Sequence, residues 1–144
     1  MNTLAQEVKQ VLNIELNPRQ IKAFDVYETE LTDWNEKFNL TAIRDSAGIR
    51  TKHFLDSLTC LLAWKNSPPD KLIDIGTGAG FPGIPLRIVE PGIRLTLIDS
   101  LRKRIGFLEN VIRELGMDDV SLIHARAEDA GHDKALRGKF DIVV

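Results

Sequence analysis

Residues 72–86 read LIDIGTGAGFPGIPL: an apolar run ending in an acid, a cluster of glycines, then a helix-compatible segment. Gly76, Gly78, Gly80 and Gly83 carry no side chain, so a chain turning there can bring its backbone close to a ligand. The loop enters a helix whose free N–H groups form a positive end. That combination suits a nucleotide-type cofactor. A second apolar run, RLTLID, ends in Asp99, which follows Gly76 at close to the ~20-residue offset where an acid meets a ribose hydroxyl. A third, VSLIH at 120–124, leads into Arg126-Ala127-Glu128-Asp129.

Two cofactors compete for this loop. Gly78-Ala79-Gly80-Phe81-Pro82-Gly83 satisfies G-x-G-x-x-G, the dinucleotide fingerprint of an NAD-type oxidoreductase. The wider frame, Asp74-Ile75-Gly76-Thr77-Gly78-Ala79-Gly80, resembles the D-x-G-x-G-x-G loop of class I S-adenosylmethionine (AdoMet) methyltransferases. Asp74, at the carboxyl end of its strand, is placed to meet the cationic amino-acid end of AdoMet and to repel a pyrophosphate. Asp99 serves a ribose in either case. In class I methyltransferases the loop after the third strand lies against the adenine, which by resemblance gives Ala127 and Glu128 that role.

Positioning such residues takes a parallel sheet. Strands are predicted at 71–75, 94–99, 120–124 and 140–144, with helices near 83–89 and 101–115 between them. Repeated β-α units of this kind argue right-handed crossovers. Ser100 is expected to cap the second of these helices and Gly116 to end it. Ahead of the sheet, Leu4, Val8, Val11 and Leu12 share a helical face. Asn17-Pro18-Arg19-Gln20 supplies an N-cap, a proline at the first helical position and a capping-box glutamine. The helix it opens puts Ile21, Phe24, Leu31, Trp34 and Phe38 on one stripe, read as core. A polar break at 39–46 precedes a third helix over 49–64, and Pro68-Pro69 block its continuation. The expected organisation is a helical lead-in over 1–66 packed on the N-terminal part of an AdoMet-binding Rossmann-like domain over 67–144. The sequence stops inside the run FDIVV, which reads as a buried strand and so as a truncated chain.

At 144 residues, 43% of them hydrophobic and 28% charged, the composition is that of one soluble globular unit. No segment approaches the ~20 apolar residues of a membrane span, and the start lacks a signal-peptide pattern, so the cytoplasm is the expected compartment. Cys60 is the single cysteine, which rules out an intrachain disulfide. His53, His124 and His132 lack metal-ligand spacing, and no metal is expected. A net charge of −2 does not advertise nucleic-acid binding. Basic residues do gather at the strand ends, with Arg102, Lys103 and Arg104 opening a helix and Arg126 in the third loop. Cations are disfavoured at a helix N-terminus, so this placement points to an anionic partner.

Four segments occur in the same order in a known family: FNLTAIRD (38–45), HFLDSL (53–58), DIGTGAGFPGIPL (74–86) and LTLIDSLRKRIGFL (95–108). The chain resembles the glucose-inhibited division protein B family of bacterial small-subunit rRNA guanine-N7 methyltransferases. The resemblance implies a class I methyltransferase fold with a helical N-terminal extension, AdoMet as cofactor, and 16S-type ribosomal RNA or the small-subunit particle as partner. It implies that Gly76 and Phe81 line the AdoMet pocket, that Asp99 holds the ribose, and that Lys103 and Arg126 face RNA or cofactor. Family members continue past the position of Val144, where a pocket arginine follows the fourth strand. A cofactor-binding fragment without activity of its own is therefore a second expectation. No catalytic acid–base pair is evident, and methylation at guanine N7 needs none, because that nitrogen already presents a lone pair.

Overall fold

The computed structural model describes residues 2–144. Helix α1 (Asn2–Leu12) puts Leu4, Val8 and Leu12 into the core, an i, i+4, i+8 stripe. Val11 departs from the expected face and is 59% exposed, since it lies ~100° around the helix from Leu12. Helix α2 (Pro18–Phe38) opens on the anticipated capping box: Asn17 accepts from the Gln20 amide, and the Gln20 side chain accepts from the Asn17 amide, both at 2.8 Å. Phe24 and Leu31 are fully buried, whereas Phe38, at the last turn, is partly exposed and rests on Trp34.

The third helical run starts earlier than predicted, because Asp45 accepts from the Gly48 amide and caps Ser46–Gly48 (α3). It continues as a π-helical stretch over Ile49–Leu55, an α-helical turn over Asp56–Leu58 (α4), and a 3-10 turn over Thr59–Ala63.

Four parallel strands follow: β1 (Lys71–Ile75), β2 (Arg94–Asp99), β3 (Val120–His124) and β4 (Ile142–Val143), in the order β3-β2-β1-β4. Their connections carry α5 (Gly83–Val89), α6 (Arg102–Glu114) and α7 (Ala127–His132). The order reverses at β1, with β2 on one side and β4 on the other, and this is where open α/β sheets bind ligands. β4 is shorter and more exposed than the buried strand expected, because β1 flanks it on one side only; Val143 is 63% exposed. Asp141 fixes its start by accepting from the Asp70 and Lys71 amides at 3.0 Å.

Side chains alternate across the sheet. Leu72, Leu95 and Leu97 join one continuous core with Leu4, Phe24, Tyr27, Phe54 and Leu58 of the lead-in helices and Phe107 of α6. Ile73 and Ile98 face the other way, into a smaller cluster under Ala130. Gly116 ends the α6 segment at φ +60°, as expected. Ser100 does not cap α6: the residue before the helix is Leu101, and its amide donates to Asp99 Oδ1 at 3.0 Å. No helix among the described residues is long and apolar enough to cross a membrane.

Candidate functional site

The glycine turn sits at the carboxyl end of β1 and is held from three sides. The amides of Gly76 and Thr77 donate to Ile98 O at 2.9 and 3.0 Å, which ties the start of the turn to β2. Asp74 lies beneath it, accepting from the Thr77 hydroxyl at 2.6 Å and the Gly83 amide at 2.9 Å. Tyr27 of α2 lies on the remaining side, and its hydroxyl donates to Ala79 O at 2.6 Å.

The glycines divide accordingly. A Cβ on Gly80 would stand 2.5 Å from the Tyr27 hydroxyl, and one on Gly83 2.9 Å from Asp74 Oδ2, so both are required by packing. A Cβ on Gly76 or Gly78 would meet nothing within 4 Å, although both residues have positive φ. These two positions face open space.

A cleft of about 300 Å³ lies beside the turn. Gly76 contributes from the β1 loop, Asp99 from the end of β2, Arg104 from α6, and Arg126, Ala127 and Glu128 from beyond β3. Asp99 is only 2% exposed. Its Oδ2 accepts from the Gly78 amide at 2.8 Å and lies 3.6 Å from Arg104 Nη1, while Oδ1 takes the Leu101 amide. Two amides bond this carboxyl group and Arg104 stands too far for a third hydrogen bond, so Asp99 keeps spare acceptor capacity. Arg104 Nε is buried with no partner.

Several predicted site residues fall elsewhere. Asp74 is committed to Thr77 and Gly83 and, unlike the equally buried Asp99, is not among the residues lining the cleft, so it braces the loop. It lies on the sheet face covered by α5, against Leu97 and Gly83. Burial raises its pKa to about 6; the two hydrogen bonds oppose that shift and the charge of Asp99 adds to it. The charge argument that separated AdoMet from a dinucleotide therefore loses its residue. Phe81 is not a cleft residue: it is stacked between Tyr27 and His53, at centroid distances of 5.5 and 4.4 Å. Ala127 and Glu128 form the first turn of α7, not a loop. Lys103 is exposed and outside the cleft lining, while Arg104 turns inward. The basic triplet signalled this arginine; the phase of α6 selects it.

Clefts of about 290 and 490 Å³ elsewhere lack this arrangement of glycine turn and strand-end acid. Among the described residues no group of three or more His, Cys, Asp or Glu is arranged to hold a metal.

A family model described as rRNA small subunit methyltransferase G (GidB) matches residues 20–144. The chain belongs to the rRNA small subunit methyltransferase G family. A relative bearing that name in Alkaliphilus oremlandii is 49% identical over all 144 residues, which cover 60% of its length. Another, in Streptococcus pyogenes serotype M12, is 49% identical over 130 residues, or 90% of this chain and 55% of the relative. The chain thus spans little more than half the length of these curated relatives.

Among solved structures, a putative O-methyltransferase from Klebsiella pneumoniae superposes with a TM-score of 0.61 over 98% of this chain and 58% of its own, at 15% identity. An O-methyltransferase from Bacillus cereus in complex with SAH gives 0.50 over 89% of this chain and 52% of its own, at 21% identity. These likenesses establish the class I methyltransferase fold. The NAD-type oxidoreductase reading finds no support among the family's members.

Proposed function

We propose that this chain carries the AdoMet-binding half of an rRNA methyltransferase that transfers a methyl group to guanine N7 in small-subunit ribosomal RNA. The observation that carries the reading is the joint between Gly78 and Asp99. There the open glycine turn of β1 and the acid of β2 meet at the carboxyl ends of their strands, beside a cleft. The residues fit the cofactor: Gly76 and Gly78 face open space, and Asp99 keeps spare acceptor capacity for a ribose hydroxyl. Bound there, AdoMet would supply an electrophilic methyl sulfonium.

The work left to this chain is orientation. Asp99 and the Gly78 amide fix the sugar side of the cleft, and Ala127 and Glu128 border it at the start of α7, where an adenine would lie. Arg104 pairs with Asp99 from α6 and helps hold it in place. Arg126, exposed on the rim, and Lys103, exposed beside it, are available to RNA phosphates. Because N7 brings its own lone pair, positioning supplies much of the rate enhancement, and no general base is required.

Calorimetric titration of the folded chain with S-adenosylhomocysteine and with NAD in parallel tests this. S-adenosylhomocysteine binding without NAD binding supports the reading. Binding of NAD alone overturns it. Silence from both assigns the cofactor site to a longer chain.

A further inference from the structure

Phe81 follows the glycine turn directly, and its ring is the middle layer of a three-ring stack. On the inner side lies Tyr27, fully buried and inclined by 24°; on the outer side lies His53, inclined by only 4° with centroids 4.4 Å apart. Both outer rings are fixed by hydrogen bonds. Tyr27 donates to Ala79 O, within the turn itself. His53 Nε2 shares a hydrogen bond with Thr41 Oγ1 at 2.8 Å.

Thr41 is fixed in turn, since its amide donates at 2.8 Å to Oδ1 of Asn35, a buried residue near the end of α2. The Ser57 hydroxyl donates to His53 O at 2.5 Å, and His53 sits in the π-helical stretch over Ile49–Leu55. Departures of this kind inside helices gather at functional sites. Partial burial lowers the His53 pKa, against an opposing pull from Asp56, which favours the neutral ring. A neutral imidazole held by one edge presents a face of fixed orientation, which a freely rotating apolar side chain would not.

Resting on the cofactor reading above, we propose that His53 is a positioning residue for the cofactor loop: held by Thr41, it clamps Phe81 against Tyr27 and so fixes the shape of the Gly76–Gly80 turn from the helical lead-in. The lead-in is then part of the cofactor site without touching the cofactor. Its side chains decide how often the turn opens, and the cofactor binds the closed form.

Hydrogen exchange at the amides of Gly78, Gly80 and Phe81 reads this directly, because these amides donate to Asp99 and to Thr77 O within the turn. In His53→Ala they should exchange about tenfold faster, the loss expected for one ring pair, while the Leu95 and Leu97 amides of β2 keep their rates. Thr41→Val should show a smaller acceleration of the same amides, and His53→Phe, which retains a ring but loses the bond to Thr41, should match Thr41→Val rather than wild type. S-adenosylhomocysteine affinity should follow the same order, weakest in His53→Ala and intermediate in Thr41→Val and His53→Phe. Wild-type exchange rates at the turn in His53→Ala would overturn the proposal, as would equal acceleration of turn and sheet amides, which marks a general loss of stability. A wild-type chain that binds no S-adenosylhomocysteine counts against the cofactor reading alone, and the exchange rates still decide the clamp.

Discussion

Asp74 should make this protein less stable as pH rises, and Asp74→Asn should remove that dependence. The carboxyl group is 2% exposed, and burial lifts its pKa from 3.8 to about 6. A pKa that is higher in the native state means the native state holds the proton more tightly. Between pH 4 and 6 the folded form is therefore protonated while the unfolded form is ionised, and stability falls as pH rises through that window. Above the folded pKa the charged form is buried and the loss is complete. At 1.36 kcal/mol per unit, a shift of ~2 units amounts to about 3 kcal/mol. Asparagine retains a carbonyl oxygen for the Thr77 hydroxyl and the Gly83 amide but never ionises. Any cost of burying its NH₂ is independent of pH, so the slope is the readout. Urea unfolding of both proteins from pH 4 to 8 should show the difference in unfolding free energy, variant minus wild type, growing by about 3 kcal/mol and levelling above pH 7. Parallel curves would refute the reasoning, because they would mean that Asp74 titrates as a solvated acid.

Gly80→Ala should destabilise the fold by about 1–3 kcal/mol, since its Cβ would meet the Tyr27 hydroxyl at 2.5 Å and the residue holds φ +101°; thermal melting measures the loss. Asp99→Ala should weaken S-adenosylhomocysteine by about 1–3 kcal/mol through the lost ribose contact. It should also lower the melting temperature, because the Gly78 and Leu101 amides lose their acceptor. An unchanged affinity by calorimetry would remove Asp99 from the ribose role.

Much of the framework was legible because it is written locally. β1, β2 and β3 occupy the residues expected of them, since each is a short apolar run preceded within a few residues by Asp, Gly or Pro. The capping box at Asn17 and the turn at Gly116 depend on a few neighbouring residues and read equally well. The start of α3 and the nature of Ala127-Glu128 did not, because a cap at Asp45 and a single turn after β3 carry little periodic signal. His53 went unassigned for a different reason: its partners Thr41 and Phe81 lie on two other segments, and no spacing within the sequence joins them.

The sequence by itself determined that the chain has a glycine turn after one strand, an acid at the end of the next, and the motifs of one methyltransferase family. It did not determine which acid meets a ligand. Asp74 and Asp99 carry the same local signal, an acid at a strand's carboxyl end, yet α5 and the turn cover one while the other borders a cleft. Nor did it choose among Arg102, Lys103 and Arg104, which differ by ~100° of helix phase each. Such choices depend on which layer packs over which face, and that is fixed by contacts between segments far apart in the chain. Tertiary packing alone turned Asp74 into a brace, Arg104 into the partner of Asp99, and Phe81 into the middle of a clamp.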